Sequence, residues 1–118
     1  MKFEITQHKG IHIQFSNGWR ASIQFGPGSY SDHFHDGETD YEKPNRSDSW
    51  QSSTAEVAAF SPDRPDNLAE LYGDQEVLGY LSPDQVLAFL NWVAGDDHDP
   101  AQLDLAIQMA GTKGRLQW

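Results

Sequence analysis

Apolar and polar side chains alternate through the first 25 residues of this chain. The apolar positions are Phe3, Ile5, Ile11, Ile13, Phe15, Trp19, Ala21, Ile23 and Phe25, with mostly polar residues between them. Successive side chains on a strand point to opposite faces, so this pattern predicts strands with one apolar face. Glycines at positions 10 and 18 interrupt the alternation, and we expect a three-stranded antiparallel meander.

The turn between the second and third strands decides their register, because residues that face each other across a pair share a face of the sheet. A two-residue turn at Asn17 and Gly18 would place Phe15 opposite Arg20, an apolar residue beside a charged one. A three-residue loop instead places Phe15 opposite Trp19. This loop is a type I turn closed by glycine in the left-handed region, and we predict it here.

The same loop geometry at Gly10 predicts that Ile5 faces Ile13. The polar face of the meander would then carry two rows of residues across the strands. These rows are Glu4, Gln14 and Arg20, and Thr6, His12 and Ser22.

Later segments predict more strands. Ala55 to Phe60 reads as a short strand, while 68–72 and 77–81 are predicted to form a hairpin around Gly73 and Asp74. The sheet would therefore gain up to three strands.

Two helix starts are predicted by the same sequence pattern. In each, a capping residue is followed directly by proline, and glutamine stands three residues after the cap. They begin at Ser82 and Asp99. The first helix is predicted to bury Val86, Leu87, Phe89, Leu90 and Val93 and to end at Gly95. The second is predicted to bury Leu103, Ala106, Ile107 and Ala110 and to end at Gly111. We therefore predict an α+β fold: an antiparallel sheet, covered on one face by two C-terminal helices, in a single domain over 1–118.

A long loop insertion over 26–54 follows the meander. Long loops in small domains are uncommon unless they bind something or are disordered. This one is rich in Gly, Ser, Asp and His but also holds Tyr30, Tyr41 and Trp50. These aromatics either fold back to close the core or form a contact site, so they are candidate binding residues, together with Arg20.

The insertion also contains the sequence Asp-His-Phe-His-Asp over 32–36. In an extended chain His33 and His35 point the same way, and imidazole with the carboxylate of Asp36 suits zinc, nickel or iron(II). A solvated loop explains the same residues. No third histidine stands at metal-ligand spacing, so we expect no cofactor and keep His33 and His35 as candidate binding residues.

The charge of the chain is strongly negative and unevenly placed. The net charge is −10, although residues 1–25 hold three basic residues and one acidic residue. Such a field repels nucleic acid and anionic membranes and favours docking onto a protein with a basic surface. The chain has no cysteine, no apolar run of membrane-spanning length and no apolar centre over residues 1–10, from which we expect a cytoplasmic protein.

Catalytic motifs are missing from the sequence. It contains no glycine-rich phosphate loop, nucleophile elbow or His-Glu-x-x-His pattern. We therefore expect a protein that is not an enzyme.

Several short stretches form a set of motifs: Asn17-Gly18-Trp19, Ser22 to Gly26, Gly28, Tyr30, Ser53, Ala55 to Ala58, Gly79-Tyr80, Ser82-Pro83 and Val86-Leu87. Together they resemble a pattern in small uncharacterised proteins of tailed phages and prophages, over roughly residues 10 to 94. The resemblance implies an accessory protein that acts by binding a host component, and it brings no catalytic residues with it. The insertion over 32–48 lies outside the matched stretches.

Three functional hypotheses follow. The leading one is a phage accessory protein that binds and inhibits a host factor, as an anti-defence (anti-CRISPR-like) protein, through its acidic surface and the loop from Tyr30 to Trp50. The second is an oligomeric sponge in which Arg20, Tyr30 and Trp50 hold a small nucleotide signal. The third is a metal-dependent enzyme that uses His33, His35 and Asp36.

Overall fold

The computed structural model describes residues 1–6, 10–26, 29–31 and 51–116. Its strands are β1 (Lys2–Thr6), β2 (Gly10–Gln14), β3 (Arg20–Gln24), β4 (Ala55–Phe60) and β5 (Leu78–Leu81). Its helices are α1 (Pro83–Ala94) and α2 (Pro100–Leu116), and a short 3-10 helix spans Tyr72–Asp74. The strands form one antiparallel sheet in the order β1-β2-β3-β4-β5. The predicted α+β fold is confirmed.

The predicted register of β2 with β3 is confirmed. Ile13 faces Ala21, and the Phe15 N–H donates to the Trp19 carbonyl at 2.9 Å. Gly18 closes the turn with φ +88°, a left-handed backbone conformation that residues with a side chain rarely adopt. The alternation of side chains and the residues of the turn favour the same register, so the local sequence was sufficient to predict how β2 pairs with β3.

The predicted register of β1 with β2 is wrong by two residues. Ile5 faces Ile11, and Phe3 faces Ile13. The reason is that Gly10 does not close the turn but pairs with Thr6 as the first residue of β2. The Gln24 side chain lies over it, where a Cβ would stand.

A shift of two residues keeps every side chain on its predicted face and changes only its neighbours. The polar rows are therefore Glu4, His12 and Ser22, and Lys2, Gln14 and Arg20.

The predicted hairpin over 68–81 is also wrong. Only its second half is a strand, β5, and it pairs with β4. The first half joins the fold through single hydrogen bonds, such as the one from the Ala69 N–H to the Ala59 carbonyl at 2.7 Å. Gly73 and Asp74 both have positive φ and turn the chain within the 3-10 helix, so two strands are added and not three.

Both helices begin as predicted. The Ser82 hydroxyl accepts from the Gln85 N–H at 3.3 Å, and the Gln85 side chain accepts from the Ser82 N–H at 3.0 Å, which completes the capping box. At the start of α2 the Asp99 carboxylate accepts from the Ala101 N–H at 3.1 Å. The first helix ends before Gly95 as predicted.

The second helix does not end at Gly111, because α2 continues to Leu116. A Cβ at position 111 would lie 2.9 Å from the Gln85 side-chain nitrogen on α1. This glycine therefore allows the two helices to approach closely and does not terminate α2.

The first helix lies on the sheet, and the second helix lies on the first. α1 packs on β3, β4 and β5 through Phe89, Trp92 and Val93, and α2 packs on α1 and the 3-10 helix with Leu103 and Ile107 buried. This layer leaves part of the apolar face uncovered: Phe3 and Ile5 on β1 are 76% and 86% exposed. Leu87, predicted to be buried, is also exposed.

Candidate binding surface

The chain leaves β3 through a short, anchored segment. Ser29 and Ser31 are buried, and their hydroxyls lie 3.0 Å apart. Ser29 donates to the Gly26 carbonyl, and Ser31 donates to the Phe25 carbonyl at 3.1 Å. The residue between them, Tyr30, is thus held from both sides.

The backbone of Tyr30 is bonded to two strands. Its N–H donates to the Glu56 carboxylate on β4 at 2.7 Å, and its carbonyl accepts from the Tyr80 N–H on β5 at 2.8 Å. Gly79 makes this approach possible, because a Cβ there would lie 2.5 Å from the Tyr30 Cβ. Tyr30 therefore contacts both β4 and β5.

The pairing of β4 with β5 contains a bulge at the same place. Ala55 faces Leu81 and Val57 faces Leu78, so Gly79 and Tyr80 together stand opposite Glu56. Tyr80 adopts φ +58°, which is unusual for a bulky residue, and bulges commonly redirect a side chain. The bulge explains why Tyr80 points away from the core.

Two tyrosines are consequently displayed side by side. Tyr30 is 49% exposed, Tyr80 is 54% exposed, and their ring centroids are 6.2 Å apart. We call Tyr30, Tyr80 and Glu56 the aromatic patch. Sequence reasoning found Tyr30 but missed Tyr80. The available signal was Gly79, since a glycine inside a strand often marks a bulge.

Arg20 does not belong to this patch. It faces Phe60 across β3 and β4, whereas Glu56 faces Gln24 at the other end of the same ladder. Four residues of strand separate the two ends, roughly 13 Å. The structure therefore does not bring Arg20 and Tyr30 together.

The guanidinium of Arg20 makes contacts within the fold. It lies 4.2 Å from the centroid of the Phe60 ring, and its Nη2 donates to the Pro65 carbonyl at 3.1 Å. His12 lies beside it on the polar face, with Nδ1 3.3 Å from the Glu4 carboxylate. Burial, followed by the charge of Arg20, lowers the pKa of His12 below 6.5, although Glu4 acts in the opposite direction.

The other predicted site residues, His33, His35, Asp36, Tyr41 and Trp50, lie outside the described residues. Within the described part of the chain, no group of three metal-capable side chains comes together. His98 packs against Trp19 with ring centroids 3.9 Å apart, and its Nε2 lies 3.0 Å from the Val93 carbonyl, so it supports the end of α1.

An apolar groove of about 380 Å³ opens between α1 and the sheet. Ile11 and Phe25 line one side, and Val86, Leu87 and Leu90 line the other. Ser53 and Thr54 border it where the insertion returns to β4. Ile11 at this groove also faces Ile5 of β1 across the β1–β2 pair.

Comparisons with protein-family models, with curated proteins and with solved structures found no match for this chain. Among the residues that the structure describes, no helix is both long and apolar enough to cross a membrane. The fold defines the class as an α+β domain, and a fold by itself does not determine a function.

Proposed function

We propose that this protein works by binding and inhibiting another protein and not by catalysis. Its partner is a host factor with a basic surface, and its role is that of a phage-encoded anti-defence protein. The aromatic patch forms part of the contact surface, and Tyr30 connects it in sequence with the rest of the insertion over 26–54.

One observation carries the binding proposal: the main chain of Tyr30 is fixed by hydrogen bonds, while its side chain is exposed. Two buried serines, the Glu56 carboxylate and the β5 backbone hold its main chain, while about half of the residue remains in solvent. Binding hot spots are enriched in tyrosine, and a preorganised side chain loses little entropy on association. The strained backbone of Tyr80 supports the same reading, since such conformations concentrate at functional positions.

Charge supports the nature of the partner. The chain carries −10 overall, and the Glu56 carboxylate lies at the patch. A negative surface steers association with a positive one and repels other acidic proteins. The resemblance to small phage proteins supports a host component as the partner, and inhibition of a defence factor is our proposal for its role.

A photo-crosslinking experiment tests the contact surface. A benzoyl-phenylalanine placed at Tyr80 is compared in host lysate with the same group at Leu105, which is 59% exposed on α2. We expect one protein to crosslink from position 80 and not from position 105, and raised salt to weaken its capture. Identical products from both positions would contradict the proposal.

Affinity and inhibition are then measured with the captured protein. We expect Tyr30→Ala and Tyr80→Ala each to weaken binding by about tenfold or more, whereas Leu105→Ala has no effect. The unaltered chain should also lower the activity of that partner. A partner that binds without loss of activity would contradict the inhibitory role and leave the contact surface intact.

A further inference from the structure

The second edge of the sheet, β1, differs sharply from the edge at β5. On β5 the Tyr80 N–H donates to the Tyr30 carbonyl, whereas β1 is an outer strand with large apolar side chains in solvent: Phe3 at 76% and Ile5 at 86%. Its five residues, Lys-Phe-Glu-Ile-Thr, contain neither proline nor glycine and pair with β2 without a bulge. A flat apolar edge of this kind is a template for another strand.

The backbone groups of β1 that point outward can be identified from the β2–β3 turn. Phe15 exchanges its hydrogen bonds with Trp19 and Gly18 there, at 2.9 and 3.0 Å. Hydrogen bonding alternates along an antiparallel pair, so odd-numbered residues of β2 bond to β3 and even-numbered residues bond to β1. On β1 the N–H and C=O groups of Phe3 and Ile5 are therefore directed away from the sheet.

A second copy of the chain can pair with this edge around a two-fold axis. Only shifts of two residues keep the apolar side chains on one face. Centring the axis on Lys2 or on Glu4 places a charge opposite its own copy, and centring it on Ile5 places Glu4 opposite Thr6 and forms no pair of opposite charges. Centring it on Phe3 places Lys2 opposite Glu4 of the second copy, twice, and Phe3 beside Phe3 of the second copy.

We propose that two copies of this chain pair antiparallel along β1, with the axis at Phe3, and so join their sheets into one. The pairing satisfies the outward N–H and C=O groups and brings opposite charges and apolar flanks together. It also joins the copies at the end where repulsion is smallest, since residues 1–25 carry a net positive charge in a chain of −10. This inference concerns the opposite edge from the aromatic patch and goes beyond the proposed function.

Charge exchange tests the register. Sedimentation velocity over a concentration series measures dimerisation of the unaltered chain, Lys2→Glu, Glu4→Lys and the double variant. Each single variant creates two like-charge pairs, so we expect the Kd of the dimer to rise by about tenfold. The double variant should dimerise again, and an equal mixture of the two single variants should form mixed dimers. An unaltered chain that stays monomeric at every concentration, or a mixture that fails to associate, would overturn the proposal.

Cysteine crosslinking tests the position of the axis. The chain has no cysteine, so a single introduced thiol can form a disulfide only with the same position of a second copy. Phe3→Cys should form a disulfide-linked dimer rapidly under mild oxidation, because position 3 alone on β1 faces itself. Ile5→Cys is the matched control, since position 5 is at least as exposed as position 3 on the same strand but faces position 1. Equal crosslinking at the two positions would exclude this register.

Discussion

Asn17 links the β2–β3 turn to the end of α1. Its side-chain nitrogen donates to the carbonyls of Val93 and Gly95, both at 2.9 Å, and its side-chain oxygen accepts from the Trp19 N–H at 3.0 Å. The carbonyls at the end of a helix lack partners within the helix. One turn residue therefore shapes a hairpin and also holds the helix that lies on the sheet.

Replacing Asn17 should destabilise the folded protein. We predict that Asn17→Ala lowers the free energy of unfolding by about 1–3 kcal/mol, because part-buried backbone groups lose their hydrogen bonds. Urea denaturation measures the effect, with Ser16→Ala, at an exposed position of the same turn, as the control. Equal midpoints for the two variants would show that the three bonds do not matter.

Gly79 is the residue on which the position of Tyr30 depends. We predict that Gly79→Ala displaces Tyr30, because the new methyl group would overlap its Cβ, and that stability falls by about 1–3 kcal/mol. Partner affinity should fall as it does in Tyr30→Ala. The double variant should lose no more affinity than Tyr30→Ala alone, since both changes remove the same contact. Additive losses would mean that Gly79 acts elsewhere.

His12 gives the fold a defined response to acid. Because burial and Arg20 lower its pKa in the folded state, the unfolded chain binds the proton more readily below pH 6.5. The stabilising contribution of neutral His12 is therefore full above pH 6.5 and is lost as the pH falls through the lowered pKa. We predict that His12→Gln shows a smaller loss of stability than the unaltered chain between about pH 7 and about pH 5. Urea midpoints across that range measure it, and parallel curves would contradict the assignment.

At the scale of elements, a strand pair or a helix start was predictable where the residues that specify it are neighbours in sequence. Alternation with a glycine-closed turn predicted β2 and β3 in register, and the reciprocal Ser82–Gln85 pattern predicted the start of α1. The elements that were mispredicted depend on contacts distant in sequence. Gly10 makes room for Gln24, and Gly111 makes room for Gln85, although each glycine also fits a turn or a helix end.

The capping box carries a measurable share of the stability of α1. We predict that Ser82→Ala lowers the free energy of unfolding by about 0.5–2 kcal/mol, because the Gln85 N–H loses its acceptor. Asp84→Ala, an exposed change in the same turn, is the control and should have a smaller effect. Circular dichroism during thermal unfolding measures both, and equal shifts would contradict the role of the cap.

At the scale of the whole molecule, the two sheet edges have different roles. The β5 edge carries the aromatic patch, while the β1 edge displays Phe3 and Ile5 in solvent between Lys2 and Thr6. A dimer through β1 would leave both aromatic patches at its outer ends. One assembly could then bind two copies of a partner.

Removing the insertion tests how far function depends on it. We predict that a variant with 32–50 replaced by a short glycine-serine linker keeps its cooperative unfolding, since the hydrogen bonds of Ser29 and Ser31 to Gly26 and Phe25, and the pairing of Ala55 with Leu81, lie outside the deleted part. Its affinity for the captured partner should fall, because the aromatic candidates Tyr41 and Trp50 are lost. Unchanged inhibition by this variant would restrict the contact to the described surface.

The sequence by itself determined the features whose causes are local: three alternating strands, two capped helices and a net charge of −10. Only the tertiary structure decided which apolar residues remain outside. Phe3 and Phe89 both belong to clear apolar patterns, yet one is in solvent and the other is fully buried. The reason is that a pattern specifies which face of an element is apolar, whereas coverage depends on where α1 lies across the sheet. That position also leaves Phe3 and Ile5 of β1 exposed.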